Sequence, residues 1–192
     1  MIVFEIRGIK IQFSFLFFAL ITIIVLLDPT GIALLSLLAA LAHELGHIIA
    51  FLCLGQKPQL ISFEFSGIRL RESYHHQTKF LPELVLLLAG SAVNLTAFGC
   101  FYLTGCWTAA AIHLCLGVYN LLPVHHLDGG KILSLLLSQF LPPAAGYHAV
   151  RAISYLCCAV LLFVGVRMAL QLHFTLLIAG VYLVLMMVSE PD

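Results

Sequence analysis

Polar positions are sparse along this chain, and their spacing divides it into long apolar runs. The runs lie at about 13–27, 31–54, 81–104, 107–122, 150–170 and 172–188. Each is near the length of α-helix that crosses a hydrocarbon core of about 30 Å. A second apolar piece, 131–141, follows the fourth run, so that region reads as one broken span. The pattern predicts an all-α polytopic membrane protein with about six transmembrane helices. Two stretches depart from it. "VFEIRGIKIQF" (3–13) and "LISFEFSGIRLRE" (60–72) alternate partly and contain turn-forming Arg-Gly and Ser-Gly pairs. They read as short β strands or hairpins at the cytoplasmic surface, with irregular interfacial loops as the alternative.

Composition agrees with the pattern. Of 192 residues, 62% are hydrophobic and 9% charged, and the mean hydropathy is +1.09. A soluble domain is about half apolar and about a quarter charged, so this chain cannot cover a globule with polar surface. Nine basic and nine acidic residues cancel, and nothing points to a nucleic-acid partner. The first run lacks a small-residue cleavage site and closes on Asp28-Pro29, so it does not read as a signal peptide. No internal repeat, low-complexity segment or second soluble domain is visible. The expectation is a single membrane-embedded domain over 1–192 with its core at about 31–140.

The few bases set an orientation. Arg7 and Lys10 precede the first span, Lys57, Arg69, Arg71 and Lys79 lie between the second and third, and Lys131 and Arg151 between the fourth and fifth. The connections "DPTG" and "TGCW" carry none, and Arg167 is the exception. Eight of nine bases fall on one side if both termini are cytoplasmic, the positive-inside pattern.

Against this background "LAHELGHIIA" (41–50) places His43, Glu44 and His47 within five residues of an apolar run. Ionisable groups deep in a bilayer are expensive and point to function. On a helix, residues i and i+4 share a face, so His43 and His47 can aim two imidazoles at one Zn²⁺. Glu44 lies about 100° further round, near the metal without being a ligand. A carboxylate there can take a proton from an attacking water and deliver it to a leaving amine.

Catalytic zinc sites commonly use three protein ligands. Asp28, Glu83 and Asp128 are the acids inside or beside apolar segments. Asp28 sits at the outer end of the first span, and Glu83 sits where an acid favours a helix N-terminus. Asp128 lies in "NLLPVHHLDGGKIL" (120–133), where Pro123 and Gly129-Gly130 should break the helix. Broken backbone is tolerated in a membrane where it lines a polar cavity. His43 lies roughly 18 Å from the outer end of its span, and Asp128 at most roughly 30 Å along its own. Both fall in the cytoplasmic half, and Asp128 is the expected third ligand.

With these residues in view the sequence resembles the site-2 proteases, the M50 family of intramembrane zinc metalloproteases. That family carries HExxH on one membrane helix, here His43–His47, and N-x-x-P-x-x-x-x-D-G on a later one, here Asn120 to Gly129 with Pro123 and Asp128. A G-P-x-x-N-like stretch between them reads Gly90-Ser91-Ala92-Val93-Asn94, with Ser91 in place of proline. The resemblance covers about 43–130 and implies one zinc per chain on His43, His47 and Asp128, with Glu44 activating water. Asn120 would orient the site or substrate, an ordinary interhelical hydrogen bond being the alternative. Pro123, Gly129 and Asn94 would shape the site. Implied substrates are single-span membrane proteins such as tethered transcription, sigma or anti-sigma factors, and a regulatory membrane protein is a further implied partner. With no PDZ or CBS domain, the chain most resembles the compact group around stage IV sporulation protein FB, which implies a bacterial plasma membrane. Cleavage needs an extended substrate, and a strand edge in 60–72 can hold one. On that hypothesis proline at Ile61 or Phe63 slows cleavage and leaves zinc bound.

Other classes are weighed against this. An inactive relative could bind zinc and partners without cutting. A metal transporter should carry polar residues along several spans, whereas the first, fifth and sixth are nearly bare. The CAAX-processing type of intramembrane HExxH protease would need a well-placed glutamate ligand on a later helix. His125 and His126 are read as non-ligands, His75 and His76 as solvated, and His113, His148 and His173 as interfacial rings near span ends. The six cysteines lack C-x-x-C spacing and read as small apolar residues.

Overall fold

The computed structural model describes residues 2–6, 9–55, 60–64, 67–71, 80–172 and 174–189. Arg7, Lys57, His75, His76, Lys79, His173, Glu190 and Asp192 lie outside the described residues. Among those described are strands β1 (Ile2–Ile6), β2 (Ile9–Phe13), β3 (Leu60–Glu64) and β4 (Gly67–Arg71). The helices are α1 (Phe15–Leu27), α2 (Ile32–Cys53), α3 (Phe80–Leu103), α4 (Trp107–Asn120), α5 (Asp128–Leu137), α6 (Pro143–Ala169) and α7 (Thr175–Ser189). The chain divides into two compact units, Met1–Gly117 and Val118–Asp192.

Helices α2, α3 and α6 are long and apolar enough to cross a membrane. Only 22% of the apolar window of α2 and of α6, and 17% of that of α3, is buried within the protein. Side chains such as Leu156, Phe163 and Leu103 are exposed. The buried residues include polar ones, His43, His47, Ser91, Asn94, His113, Asp128 and Ser154, beside apolar ones such as Phe51, Val124 and Leu183. Long apolar helices whose apolar side chains are mostly exposed suit lipid as the solvent. This is a multi-pass membrane protein.

In the N-terminal unit the two predicted hairpins form one four-stranded sheet of order β1-β2-β3-β4. The hairpin pairs β1–β2 and β3–β4 are antiparallel. Strands β2 and β3 pair in parallel, Lys10 opposite Leu60 through Phe13 opposite Phe63. This corrects the strand-edge expectation in one respect. Ile61 and Phe63 lie in β3, which is paired on both sides, so proline there breaks the sheet itself. The edge offered by 60–72 is β4.

Asp28 closes α1 and opens α2. Its carboxylate accepts from the Thr30 backbone N–H at 2.9 Å, from the Thr30 hydroxyl, and from the Ala33 N–H at the start of α2. The Thr30 hydroxyl, then these backbone donors, hold its carboxyl below the usual range. This candidate acid therefore satisfies the orphan donors of a helix start. Helix α2 packs on α3, Gly46 lying against Ala89 and Val93, a close approach that small residues permit.

In the C-terminal unit the predicted break is present. Helix α4 ends at Asn120 and α5 runs over Asp128–Leu137, so the second apolar piece begins in a separate short helix. Helix α6 starts at Pro143, seven residues before the apolar run of 150–170. Ser154 of α6 ties the break down, its Oγ accepting from the His125 N–H at 2.9 Å and donating to the Pro123 and Val150 carbonyls at 3.3 and 2.8 Å. Val124 then packs with Cys158, Leu183 and Met187 in a fully apolar cluster. Ser154→Ala removes the hydroxyl that accepts from a half-buried loop amide, at a cost of about 1 kcal/mol. The expected result is a lower thermal midpoint in detergent, read by circular dichroism.

Gly129 and Gly130 let α5 start against the break. A Cβ on Gly129 would lie 2.1 Å from the Leu121 carbonyl oxygen, and one on Gly130 2.0 Å from that of Val124. Both contacts are with backbone, which cannot step aside. Gly130→Ala should therefore destabilise the protein by about 3 kcal/mol. A midpoint equal to wild type would show that the break is looser than described.

Candidate metal centre

His43 and His47 are one turn apart on α2, as the i, i+4 spacing requires, and both are buried. Their rings meet edge to face with centroids 4.8 Å apart, and their Nε2 atoms are 3.2 Å apart. Two nitrogens bound tetrahedrally to one zinc at about 2.0–2.1 Å would be about 3.3–3.4 Å apart. The pair is spaced for a shared ion.

Helix α3 holds both rings from behind. The Leu86 carbonyl lies 2.8 Å from His47 Nδ1 and can only accept, so Nδ1 carries the proton and Nε2 keeps its lone pair, the arrangement a metal-binding histidine needs. Asn94 is wholly buried, with its Nδ2 at 3.5 Å from His43 Nδ1 and its Oδ1 at 3.0 Å from His113 Nδ1. Gly90 leaves room for the imidazoles, because a Cβ there would lie 2.4 Å from His47 Nε2 and 2.8 Å from His43 Nε2. The G-S-A-V-N stretch thus positions the histidines through a missing side chain at Gly90 and an amide at Asn94.

Glu44 is half-buried on α2, next to His43. Asn120 closes α4, and Pro123 lies in the break, both half-buried. Asp128 is buried in the first turn of α5, where the helix dipole favours an anion. Its Oδ1 is 3.6 Å from Lys131 Nζ one turn on, whose side chain is 55% exposed. Lys131 thus belongs to α5 rather than to a connection. Glu83 occupies the first turn of α3, as its dipole reading expects. His43 and His47 in the first unit and Asp128 in the second are each buried side chains of a kind that can donate to a metal ion. Two imidazoles and a carboxylate suit zinc.

His113 is the residue that the sequence misplaced. It is buried in α4 rather than interfacial, bonded to Asn94 and stacked on Phe101 with centroids 5.3 Å apart. Gly117, one turn on, gives Asn94 its place against the same face, a Cβ there meeting Asn94 Cβ at 3.3 Å. A signal was present in that i, i+4 pair of His113 and Gly117. His125 and His126 flank the break edge to face at 5.3 Å, and with Tyr147, Arg151 and Met187 they line a small cavity. The six cysteines are free thiols.

The description "Peptidase family M50" matches residues 102–164, a segment that includes the Asn120–Gly129 motif. No curated protein sequence matches the chain. Among solved structures, the chain is similar to the site-2 protease from Methanocaldococcus jannaschii, with a TM-score of 0.68 at 22% identity. That match covers 95% of this chain and 91% of the other. The family model covers about a third of the chain, and the structural likeness is one of fold. The all-α membrane architecture expected from the sequence stands on that likeness.

Proposed function

We propose that the protein is an intramembrane zinc protease that cuts a single-span membrane substrate. The observation that carries this reading is the 3.2 Å spacing of the two buried Nε2 atoms, with His47 held by the Leu86 carbonyl as a lone-pair donor. His43, His47 and Asp128 would hold one zinc. Bound there, the metal would polarise the scissile carbonyl and acidify a water. Glu44 takes the proton of that water as it attacks, and the peptide C–N bond breaks as Glu44 passes the proton to the departing nitrogen. Asn120 orients the substrate backbone. Pro123 and Gly129 keep the chain open at Asp128, and Asn94 fixes His43.

The edge of β4 offers backbone groups to an extended substrate, which a helix could not present to the site. The cytoplasmic orientation of both termini and of the site follows from the basic residues. The substrate class follows from the family resemblance: single-span precursors of transcription, sigma or anti-sigma factors in a bacterial plasma membrane, with a regulatory membrane protein controlling access.

The test is cleavage of a panel of single-span substrates by the purified protein in detergent or vesicles. The expected result is cleavage that a zinc chelator abolishes and one equivalent of zinc restores. Zinc bound without cleavage of any substrate would favour a non-cutting relative. Metal flux into sealed vesicles without cleavage would favour a transporter.

A further inference from the structure

The buried residues of α3, among those described, are Gly90, Ser91 and Asn94. The histidine pair accounts for two of them, Gly90 by the room it leaves and Asn94 by its contact with His43. Ser91 has no such account. It is 1% exposed, and its Oγ has no hydrogen-bond partner among the described residues. A hydroxyl inside a helix can always turn back to the carbonyl four residues earlier. Thr96 on the same helix does so to Ala92, Thr22 to Phe18 and the buried Ser154 to Val150, each at 2.8 Å. Ser91 has the Leu87 carbonyl in the same relation and leaves it. Serine also stands here where the resembled motif has proline, so the hydroxyl is a feature of this chain.

Buried polar groups are bonded, and one left unbonded forfeits its hydration for nothing. With no protein partner, the partner of Ser91 Oγ is a molecule small enough to be enclosed. The same helix supplies the rest of a water site. Ser91 and Asn94 are three residues apart and share a face, with Cβ atoms about 5–6 Å apart. One water with two bonds of about 2.8 Å spans that gap. Asn94 is wholly buried. Its amide has two N–H donors and two acceptor lone pairs, and its bonds to His43 and His113 use one of each. One of each is left, so a water can bond there in either sense. The Leu87 carbonyl, one turn before Ser91, keeps a second lone pair beyond its helix bond. A buried water makes about three hydrogen bonds, and Ser91, Asn94 and Leu87 offer that many.

We propose that Ser91, with Asn94, binds an internal water beside the histidine pair and keeps it as a resident supply for hydrolysis. The supply role rests on the reading of the protein as a protease; the water site does not. Each cut consumes one water, whose oxygen joins the carbonyl carbon as the C–N bond breaks and one of whose protons goes to the departing nitrogen. Only 17% of the apolar window of α3 is buried within the protein, and the rest faces lipid, which supplies no water. A water on Ser91 lies one residue along the chain from Gly90, against which both imidazoles rest.

The test begins on the full chain in detergent without metal. A brief X-ray pulse makes hydroxyl radicals from enclosed waters as well as from bulk, and mass spectrometry reads which side chains they oxidise. Wild type and Ser91→Thr, which keeps the hydroxyl, should be labelled at Leu87, and Ser91→Ala should lose that label. Alanine suits a helix, so the variant folds. Its thermal midpoint should fall below wild type, because the bonds of the water go with the hydroxyl. A dry, unbonded hydroxyl would give the opposite sign, since alanine would relieve it. Label kept at Leu87 in Ser91→Ala, or a midpoint that does not fall, overturns the water site. With zinc supplied, Ser91→Ala should cut with a lower kcat at unchanged KM and zinc content, and Ser91→Thr should recover the rate. Loss of the label with kcat unchanged overturns the supply role. A labelled wild type that binds zinc and cuts nothing overturns the protease reading, and the supply role with it, while the water site stands.

Discussion

Glu44→Gln removes peptide cleavage and leaves zinc in place. Glutamine has the size and hydrogen-bonding reach of glutamate but is not a base at neutral pH. Loss of general acid–base catalysis costs about 10²–10⁴ in rate, enough to take a slow membrane protease below detection. Zinc stays because Glu44 lies about 100° round α2 from His43 and is not needed as a ligand beside His43, His47 and Asp128. The check is zinc per chain by elemental analysis beside the initial rate of cleavage, on the same preparation. Loss of both would make Glu44 a ligand, and loss of neither would remove it from the mechanism.

Gly90→Ala does the converse. Alanine is the better helix former by about 1 kcal/mol, and the position lies within α3, so the helix survives. The new methyl, however, would lie 2.4 Å from His47 Nε2 and 2.7 Å from His43 Cε1. The rings can only swing away from α3, which breaks the 2.8 Å bond from His47 to Leu86 and the aim of both nitrogens. Overpacking strain of up to about 3 kcal/mol falls on the metal-binding geometry, a loss of about 100-fold in zinc affinity. Chelator competition measures it. Unchanged affinity would mean that α3 does not set the position of the two imidazoles.

The parts of the site written in local spacing were legible in the sequence. His43 and His47 needed only the helical repeat, and the break before Asp128 was signalled by Pro123 and two glycines that nothing but close backbone contact explains. Expectations that depended on long-range pairing fared differently. The hairpins were visible from their turns, but the parallel pairing of β2 with β3 joins segments about 50 residues apart, and no local signal encodes it. Asp28 looked like a candidate ligand, yet its position at a helix start gives it three local donors instead. His113 looked interfacial because it lies near the end of its apolar run. Its burial comes from Asn94 on another helix, which periodicity along α4 alone does not reveal. The edges of α6 were blurred because its first turns, Pro143–Ala149, are less apolar than its core.

The measurement that tests the central claim most directly is zinc content across the proposed ligands. Wild type, His47→Ala and Asp128→Ala are purified in parallel in detergent, dialysed against a weak chelator and analysed for metal and for folded helix content. The account predicts about one zinc per chain in the wild type, and little in either variant at unchanged helicity. Full zinc in Asp128→Ala would contradict the carboxylate as third ligand. No zinc in a folded wild type would contradict the metal centre itself.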